Sequence, residues 1–520
     1  MVHTYCMYDG CSLLGPGSSL SLTPSGSCFR SQSPTPFSSA GQRGHTIRAT
    51  FGLRLSLVRH LSLSLFRPST PFLSNPLTQV YISYSPSSPQ QVVYEGTMSK
   101  LRQFLHKFFQ QPPIRPGARR ATATPASILA LSMASYSTTV TKIPDLGPSP
   151  EDAASKPHHL KRNGSTIGFK NVHPSFGDGV GLPQIFRHVV WPQLIGDLKF
   201  PDTSPPTVNV VKPDFLPTRT ASDKLRATWL GHACYYVEFP SGLRVLFDPV
   251  FEDRCSPFSF LGPKRFTPKP CDLADIPFVD AVLISHSHYD HLSHESVLTI
   301  QKHNPKAHFF VGLGLESWFK KAGLKNVTEL DWWEDAEISL TVDKGVDDVP
   351  ETISAQISCL PCQHTSARTL FDKDTTLWAS WGVKSAGKSV WFGGDTGYRA
   401  VPWTPLDVDD YGPKYAHLPM CPQFRQIGDL RGPFDLGLIP IGAYYPRVAF
   451  SGMHANPFDS VEIFQDTKCE RAMGIHWGTW ALTMEEVLEP PRLLQEAMKR
   501  KGLPATGVFD VCEIGESREF

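Results

Sequence analysis

An apolar run that ends in a cluster of histidines is the feature of this sequence that most constrains its fold. The segment DAVLIS (280–285) is typical of a buried strand, and His286, His288, Asp290 and His291 follow it directly. A strand usually ends in turn residues, whereas imidazole and carboxylate groups are ligands of zinc and related metals. The cluster therefore predicts a metal site at a strand end. A polar loop of hydrogen-bonded histidines is the alternative interpretation.

Three later segments each place one more potential ligand just after an apolar strand. His364 follows ISAQISCL, Asp395 follows KSVWFGG, and His476 follows RAMGI. Taken singly, a histidine at a strand end is more often structural than a ligand. However, four residues in one loop rarely complete two coordination spheres, so a larger site needs ligands of this kind from other strand ends.

Strands alternate with helices from about Lys199 onward. RATWLGHACYYVEF and LRVLFDPV are predicted to form a hairpin across residues 240–242, and Ser293 is predicted to cap a helix that runs to about His303. Later strands are expected at HFFVG, NVTELDW, ISAQISCL, DLGLIPIG and RAMGIH. Strands interleaved with helices predict an α/β fold of layered sheets covered by helices.

The first 144 residues differ from the rest in composition. They contain only two acidic residues and are rich in Ser, Pro, Leu and Arg, so we predict that this N-terminal extension is disordered. Residues 98–144 contain no acid and carry an amphipathic basic stretch, which is typical of a mitochondrial presequence. Met98 would then be a candidate start, and a basic disordered tail is the alternative. Residues 145–198 are predicted to be a linker and family-specific lead-in, and 199–520 the folded domain.

Composition narrows the class of protein. A formal net charge of +1 argues against a strongly basic nucleic-acid-binding protein. Eleven cysteines without regular spacing do not suggest a disulfide framework, and we expect Cys359 and Cys362 to pack in a strand rather than to form a redox pair or zinc clip. The sequence has no uninterrupted apolar stretch of about 18 residues, so we expect contact with a membrane only from its surface.

From about Lys199 to Gly515, the order of the seven potential ligands resembles that of the metallo-β-lactamase superfamily. This resemblance implies a four-layer αβ/βα sandwich with a two-metal site between its sheets. Carried over by position, it assigns His286, His288 and His364 to the first metal. It assigns Asp290, His291 and His476 to the second metal, with Asp395 as the bridge between the two.

Longer segments resemble one family within this superfamily, the N-acyl-phosphatidylethanolamine-hydrolysing phospholipases D. In chain order they are ATWLGHACYYVEF, FDPVFEDRCSPF, GPKRF, AVLISHSHYDHL, GGDTGY, IPIGAYYPR and IHWGTWAL. The N-terminal extension and the insertion-like segment 401–428 depart from the family pattern. The resemblance therefore says nothing about regulation or about exact lipid preference.

The resemblance implies a phosphodiesterase that cleaves N-acyl-phosphatidylethanolamine to N-acylethanolamine and phosphatidic acid, with two Zn²⁺ per chain. Two zinc ions about 4 Å apart lower the pKa of a shared water toward neutrality and so generate hydroxide. Asp290 and His454 are the expected catalytic residues. His454, in FSGMHANPF, would hydrogen-bond a phosphoryl oxygen or manage the leaving-group proton. A loop histidine that only steadies Asp290 or the backbone is the alternative.

A lipid substrate needs apolar surface close to the site. The segment CSPFSFLGPKRF combines apolar anchors with cations that attract phosphate. The candidate substrate-binding or membrane-binding residues are Phe258, Phe260, Leu261, Lys264, Arg265 and Tyr289, with Trp332 and Trp333 as further interface candidates. Ordinary core aromatics and a solvated basic pair are the alternative.

These features predict a phospholipid substrate at a membrane surface, peripheral membrane association and no nucleic-acid partner. A mitochondrial membrane or another intracellular membrane is the expected location, and a homodimer is one candidate assembly. Three rival functions stay open: another hydrolase of this fold such as a nuclease or lactonase, a mononuclear iron dioxygenase, and a non-catalytic lipid-binding protein. The intact set of seven ligands disfavours the last two.

Overall fold

Two mixed β-sheets form the framework of the protein. The computed structural model describes residues 136–143, 146–178, 181–342, 351–405 and 408–520. The first sheet has eight strands, antiparallel from β1 to β13 and parallel from β13 to β16. Its strands, in spatial order, are β1 (Tyr136–Lys142), β10 (Asp335–Val342), β11 (Glu351–Leu360), β12 (Ser380–Ser385), β13 (Lys388–Phe392), β14 (Phe434–Pro440), β15 (Cys469–Ile475) and β16 (Phe509–Asp510).

The second sheet has seven strands, antiparallel from β17 to β6 and parallel from β6 to β9. In spatial order they are β17 (Ser517–Glu519), β4 (Arg226–Gly231), β5 (Cys234–Glu238), β6 (Arg244–Phe247), β7 (Ala281–Leu283), β8 (His308–Gly312) and β9 (Val327–Leu330). The hairpin expected across residues 240–242 is the β5–β6 pair. A separate hairpin joins β2 (His159–Arg162) to β3 (Ser165–Phe169).

Helices cover the outer faces of both sheets. The α-helices among the described residues are α1 (Leu182–Ile185), α2 (Trp191–Ile195), α3 (His294–His303), α4 (Glu316–Lys321), α5 (Gln423–Leu430), α6 (Arg447–Phe450), α7 (Pro457–Asp466) and α8 (Glu489–Arg500). Ser293 caps α3, as predicted, by accepting a hydrogen bond from the Ser296 backbone N–H. Within the described ranges, no helix is long and apolar enough to cross a bilayer.

Aromatic and aliphatic side chains fill the space between the sheets. Phe247 of β6 and Phe392 of β13 meet there with ring centroids 4.8 Å apart, and both are fully buried. A second cluster lies under the outer helices of the second sheet, where Val297 of α3 and Phe319 of α4 pack against Phe309 of β8. Central strands such as β5 and β6 are buried on both faces because each sheet is covered on each side. This arrangement is the predicted four-layer αβ/βα sandwich.

The predicted start of the folded domain is wrong. Tyr136–Lys142, assigned to the extension, forms edge strand β1 and pairs with β10 along its whole length. Its Thr-rich alternation suits a half-exposed edge strand, and Val140 packs on the core. Residues 1–135 of the predicted extension, which include the predicted presequence from residue 98, lie outside the described residues.

Part of the linker and lead-in predicted at 145–198 is folded onto the sandwich, since Phe169 lies in the main core and the Ser175 hydroxyl donates to Gln363. The buried Asp331 carboxylate anchors this segment through His158 (2.6 Å), His159 (2.9 Å) and Lys156 (2.8 Å). Burial opposes ionisation of Asp331, but the hydrogen bonds from His158 and Lys156 lower its pKa. Such buried polar anchors are formed by residues far apart in the chain, which a local pattern does not reveal.

Of the two further interface candidates, Trp332 is buried and Trp333 is partly exposed. Trp332 is buried, its indole N–H donates to the Trp378 carbonyl at 2.7 Å, and its ring stacks on His158. Trp333 packs, partly buried, against the main core. Cys359 and Cys362 are both buried and form no disulfide.

Candidate metal centre

The seven predicted ligands converge at one edge of the sandwich. Parallel strands share the edge at which their carboxyl ends lie, and the ligand loops follow such ends in both sheets. His286–His291 follow β7, Asp395 follows β13 and His476 follows β15, while His364 follows the antiparallel strand β11. Side chains far apart in sequence are thereby brought together, as the distances below demonstrate.

One group of ligands consists of His286, His288 and His364. The Nδ1 atom of His288 lies 2.8 Å from His286 Nε2 and 3.2 Å from His364 Nε2. Three imidazole nitrogens that converge in this way can hold one metal ion. Burial, together with the neighbouring imidazoles, holds the pKa of His286 and of His364 well below the usual range. The rings are therefore neutral, which is the form that binds metal.

A second group consists of Asp290, His291 and His476. Asp290 Oδ2 lies 3.3 Å from His291 Nε2 and 3.4 Å from His476 Nε2. Asp395 lies between the two groups, with Oδ2 at 3.1 Å from His291 and 3.0 Å from His476. The same oxygen is 3.8 Å from His286 Nε2. One carboxylate thus reaches ring nitrogens of both groups, as the bridging prediction requires.

Hydrogen-bonding capacity and charge in this cluster fit a metal cation. Asp395 Oδ1, His291 Nε2 and His476 Nε2 are buried without a hydrogen-bond partner, an arrangement that is costly unless another group satisfies these atoms. Burial opposes protonation of His476, but Asp395 and Asp290 raise its pKa to about 9. The carboxylates therefore demand a nearby positive charge, and either protons or metal ions can supply it.

Two contacts outside the ligand set orient the imidazoles. The Asp248 carboxylate accepts a 2.6 Å hydrogen bond from His291 Nδ1 and further bonds from the Ser285 hydroxyl and backbone N–H. His364 Nδ1 donates to the Met453 carbonyl at 3.0 Å. In both rings this directs Nε2 toward the cluster, the arrangement that metal-binding histidines generally show. Asp248 was not predicted, although its position just after β6 in LFDPV was an available signal.

His232 is a second residue that the sequence analysis missed. Its Nε2 lies 3.0 Å from Asp290 Oδ2, and its ring centroid is 4.1 Å from that of His476. It follows β4 in WLGHAC, so a histidine at a strand end was again the available signal. The contact holds one oxygen of Asp290 and thereby orients that carboxylate.

His454 lies beside the cluster rather than within either group. Its Nδ1 is 3.9 Å from Asp395 Oδ2 and has no hydrogen-bond partner, and its ring centroid lies 5.0 Å from that of His364. Burial lowers its pKa to about 4, so the ring is neutral at physiological pH. A neutral imidazole in this position can donate or accept one hydrogen bond toward a bound substrate.

The candidate substrate-binding residues divide into two sets. Phe258, Phe260 and Leu261 are exposed together with Lys264, while Tyr289 is half-buried at the ligand loop. Arg265 is not part of an exposed basic pair. It is buried, its guanidinium lies 4.6 Å from the Trp480 ring centroid, and it donates to the Val250 carbonyl at 2.9 Å.

The sequence is similar to proteins of known family. Residues 243–477 match the model of a Beta-lactamase superfamily domain. The chain is 37% identical over 366 residues to N-acyl-phosphatidylethanolamine-hydrolyzing phospholipase D 1 of Caenorhabditis elegans, an alignment that covers 68% of this chain and 92% of that protein. The chain belongs to this phospholipase D family of the metallo-β-lactamase superfamily. It is accordingly a hydrolase, with candidate metal-binding clusters of histidine and aspartate.

Two further similarities are more partial. The Saccharomyces cerevisiae protein named N-acyl-phosphatidylethanolamine-hydrolyzing phospholipase D, mitochondrial, is 34% identical over 270 residues, which span 52% of this chain and 50% of the yeast protein. The solved structure of Igni18, a metallo hydrolase from Ignicoccus hospitalis, is 19% identical. The alignment of the two structures covers 57% of this chain and 98% of the Igni18 chain, with a TM-score of 0.38.

The Asp248–His291 contact generates a testable prediction. Asp248→Asn should weaken metal binding roughly 10- to 100-fold, because the amide holds the His291 ring less firmly than the carboxylate does. Metal content after dialysis against graded chelator measures this. Asp435→Asn is the matched control, since that carboxylate pairs with Lys388 near the start of β14, at the opposite strand end. Equal metal retention by both variants would contradict the role of Asp248.

Proposed function

We propose that the protein is a zinc-dependent phosphodiesterase that hydrolyses N-acyl-phosphatidylethanolamine to N-acylethanolamine and phosphatidic acid. The observation that carries the proposal is the buried Asp395 carboxylate between two groups of imidazole and carboxylate ligands. The names of the worm and yeast relatives supply the substrate. Nitrogen and carboxylate ligands in two adjacent sets suit two zinc ions.

In this proposal, two zinc ions when bound would activate water and neutralise charge on the phosphoryl oxygens. One ion would be held by His286, His288 and His364. The other would be held by Asp290, His291 and His476. Asp395 would contact both ions. The contacts of Asp290 to His232, His291 and His476 all use Oδ2. Asp290 Oδ1 is therefore available to accept a proton from the attacking water, which gives this ligand its catalytic role.

His454 is proposed to act on the substrate and not on the metals. Its uncommitted Nδ1 and its place on the Asp395 side of the site favour a hydrogen bond to a phosphoryl oxygen or to the departing ethanolamine oxygen. The neutral ring can take up the proton that the attacking water loses and pass it to that oxygen as the phosphorus–oxygen bond breaks, which would release N-acylethanolamine as a neutral alcohol.

The reaction itself predicts where solvent oxygen goes. Hydrolysis of N-acyl-phosphatidylethanolamine in ¹⁸O-labelled water should place one labelled oxygen on the phosphatidic acid and none on the N-acylethanolamine, because water attacks phosphorus. Mass spectrometry of the two products measures this. Label in the alcohol product, or release of a fatty acid instead, would refute a phospholipase D reaction.

A substitution separates the roles of His454. His454→Ala should lower turnover roughly a hundredfold, because proton transfer by a positioned side chain contributes about 10²- to 10⁴-fold. Zinc content and melting temperature should stay at the parent level. His308→Ala is the control, since His308 lies at the start of β8, at the opposite strand end from the site. Loss of zinc would make His454 a ligand, and normal turnover would make it structural.

We also propose a mitochondrial destination, directed by residues 98–144. The acid-free, amphipathic basic sequence and the name of the yeast relative support it. A fluorescent reporter fused behind residues 98–150 should enter mitochondria in intact cells. The control fusion carries Glu in place of Arg102, Lys107 and Arg115, which removes the basic character, and it should stay in the cytosol. A diffuse signal from the first fusion would contradict the proposal.

A further inference from the structure

Two large apolar side chains protrude into water beside the metal centre. Leu370 and Phe371 are each 93% exposed, the highest values among the large apolar residues of the described ranges. They lie between His364 and β12, in the loop that follows a metal-ligand position. Exposed single apolar residues are common on protein surfaces, but two adjacent residues of this size at the edge of a site indicate contact with an apolar partner.

The turn that carries these residues is built to hold them outward. The Asp372 side-chain oxygen Oδ1 accepts hydrogen bonds from the backbone N–H groups of Arg368 (3.1 Å) and Thr369 (2.7 Å). The Phe371 N–H donates to the Thr369 hydroxyl at 3.2 Å. These bonds close the turn on its polar side. The backbone of the turn is therefore fixed, and Leu370 and Phe371 are exposed on its outer side.

The base of the turn is fixed to the metal-ligand loop. Arg368 Nη1 donates to the carbonyls of Ser287 (2.9 Å) and Leu292 (2.8 Å), which bracket His288, Asp290 and His291. The same guanidinium lies 4.0 Å from the centroid of the Tyr289 ring. The exposed turn and the ligand loop are thus one connected unit, so a partner held by the turn lies beside the metal centre.

A second exposed apolar tip lies on the loop that contains Phe258, Phe260 and Leu261. Phe260 is 77% exposed, and Phe258 and Leu261 on the same loop are also exposed. Tyr289 and Arg368 line a cavity of about 1050 Å³ together with Ser256 and Pro257, from the base of this second loop. The bases of the two apolar segments therefore line the same cavity.

The charges that line this cavity decide what kind of attraction the surface offers. Arg254, Lys269 and Arg368 are accompanied by Glu252, Asp253, Asp272 and Glu295. The mixture leaves no strong single-sign field, so electrostatic attraction alone does not explain binding. Apolar insertion by the two tips is the larger contribution, with the cations available to the phosphates of a lipid. Two separated protrusions also fit a deformable lipid surface better than the flat, complementary patch that a stable protein dimer needs.

We propose that the turn at Leu370 and Phe371 and the loop at Phe258–Leu261 insert into the surface of a phospholipid bilayer. The two tips then hold the cavity and the metal centre against the lipid headgroups. The phosphodiester of a substrate can then enter the site while its acyl chains stay in the membrane. The inference rests on the proposed function for its choice of a lipid partner, and it adds the turn at Leu370 and Phe371 to the membrane-binding residues that the sequence predicts.

The experiment uses the full chain and vesicles of phosphatidylcholine and phosphatidylethanolamine without substrate. The double variant Leu370→Ser/Phe371→Ser should bind these vesicles at least roughly tenfold more weakly in a flotation assay, because two insertable side chains are lost. Metal content and melting temperature should match the parent and so exclude a folding defect. Leu146→Ser is the matched control, because this exposed leucine lies beside Gly147, which contacts Arg431 just before β14, away from the site.

Each outcome separates this inference from the proposed function. Vesicle binding by the double variant at the parent level would overturn the insertion of this turn. A change in oligomeric state by sedimentation equilibrium, without a change in vesicle binding, would replace the bilayer by a second copy of the chain and would also overturn it. Weakened vesicle binding by a protein that does not hydrolyse N-acyl-phosphatidylethanolamine would support the docking surface and refute the proposed substrate.

Discussion

The buried carboxylate of Asp395 is the interaction on which the arrangement of this protein depends. Its Oδ2 atom lies within 4 Å of a ring nitrogen of five histidines, namely His286, His291, His364, His454 and His476. Burial of so many ionisable groups is costly unless charge and hydrogen bonding are balanced locally. The imidazoles hold the pKa of Asp395 well below its usual range even though burial opposes ionisation. The site is therefore an anionic centre that requires cations. Its ligands lie close together because they follow strands of the two packed sheets.

Backbone packing makes this convergence feasible. Gly394, one residue before Asp395, has a φ of +58°, and a Cβ atom there would meet Ser285 Cβ at 2.6 Å. The loop after β13 thus approaches the loop after β7 more closely than a larger residue would permit. Ser285 in turn donates to Asp248, which fixes His291. The contact between Gly394 and Ser285 therefore lets the two loops approach each other, and through Asp248 it also orients the ligand His291.

The sequence predicted the parts of this structure that have a local signature. An apolar run followed by histidines locates a ligand loop at a strand end, and the convergence of His286, His364 and His476 follows the predicted order. Asp248 and His232 were missed because a single polar residue after a strand is a weak signal, and neither residue belongs to the order of seven ligands. Their significance comes from contacts across 43 residues, for Asp248 with His291, and 58 residues, for His232 with Asp290. Strand β1 was missed for a related reason, since only its pairing with β10 distinguishes it from a polar tail.

The position of the exposed apolar residues follows from the same topology as the site. A loop that leaves a strand end places its first residues, here the ligands, close to the sheet. Residues farther along the loop lie farther out, at the rim of the site. Leu370 comes six positions after His364, and Arg368 between them is bonded to the loop of His288. A tip of this kind can change in sequence without moving the ligands, because the bonds of Arg368 and Asp372 fix its base. The proposed contact with a lipid surface and the proposed chemistry at the ligand cluster can therefore be altered independently, although both depend on the same strand ends.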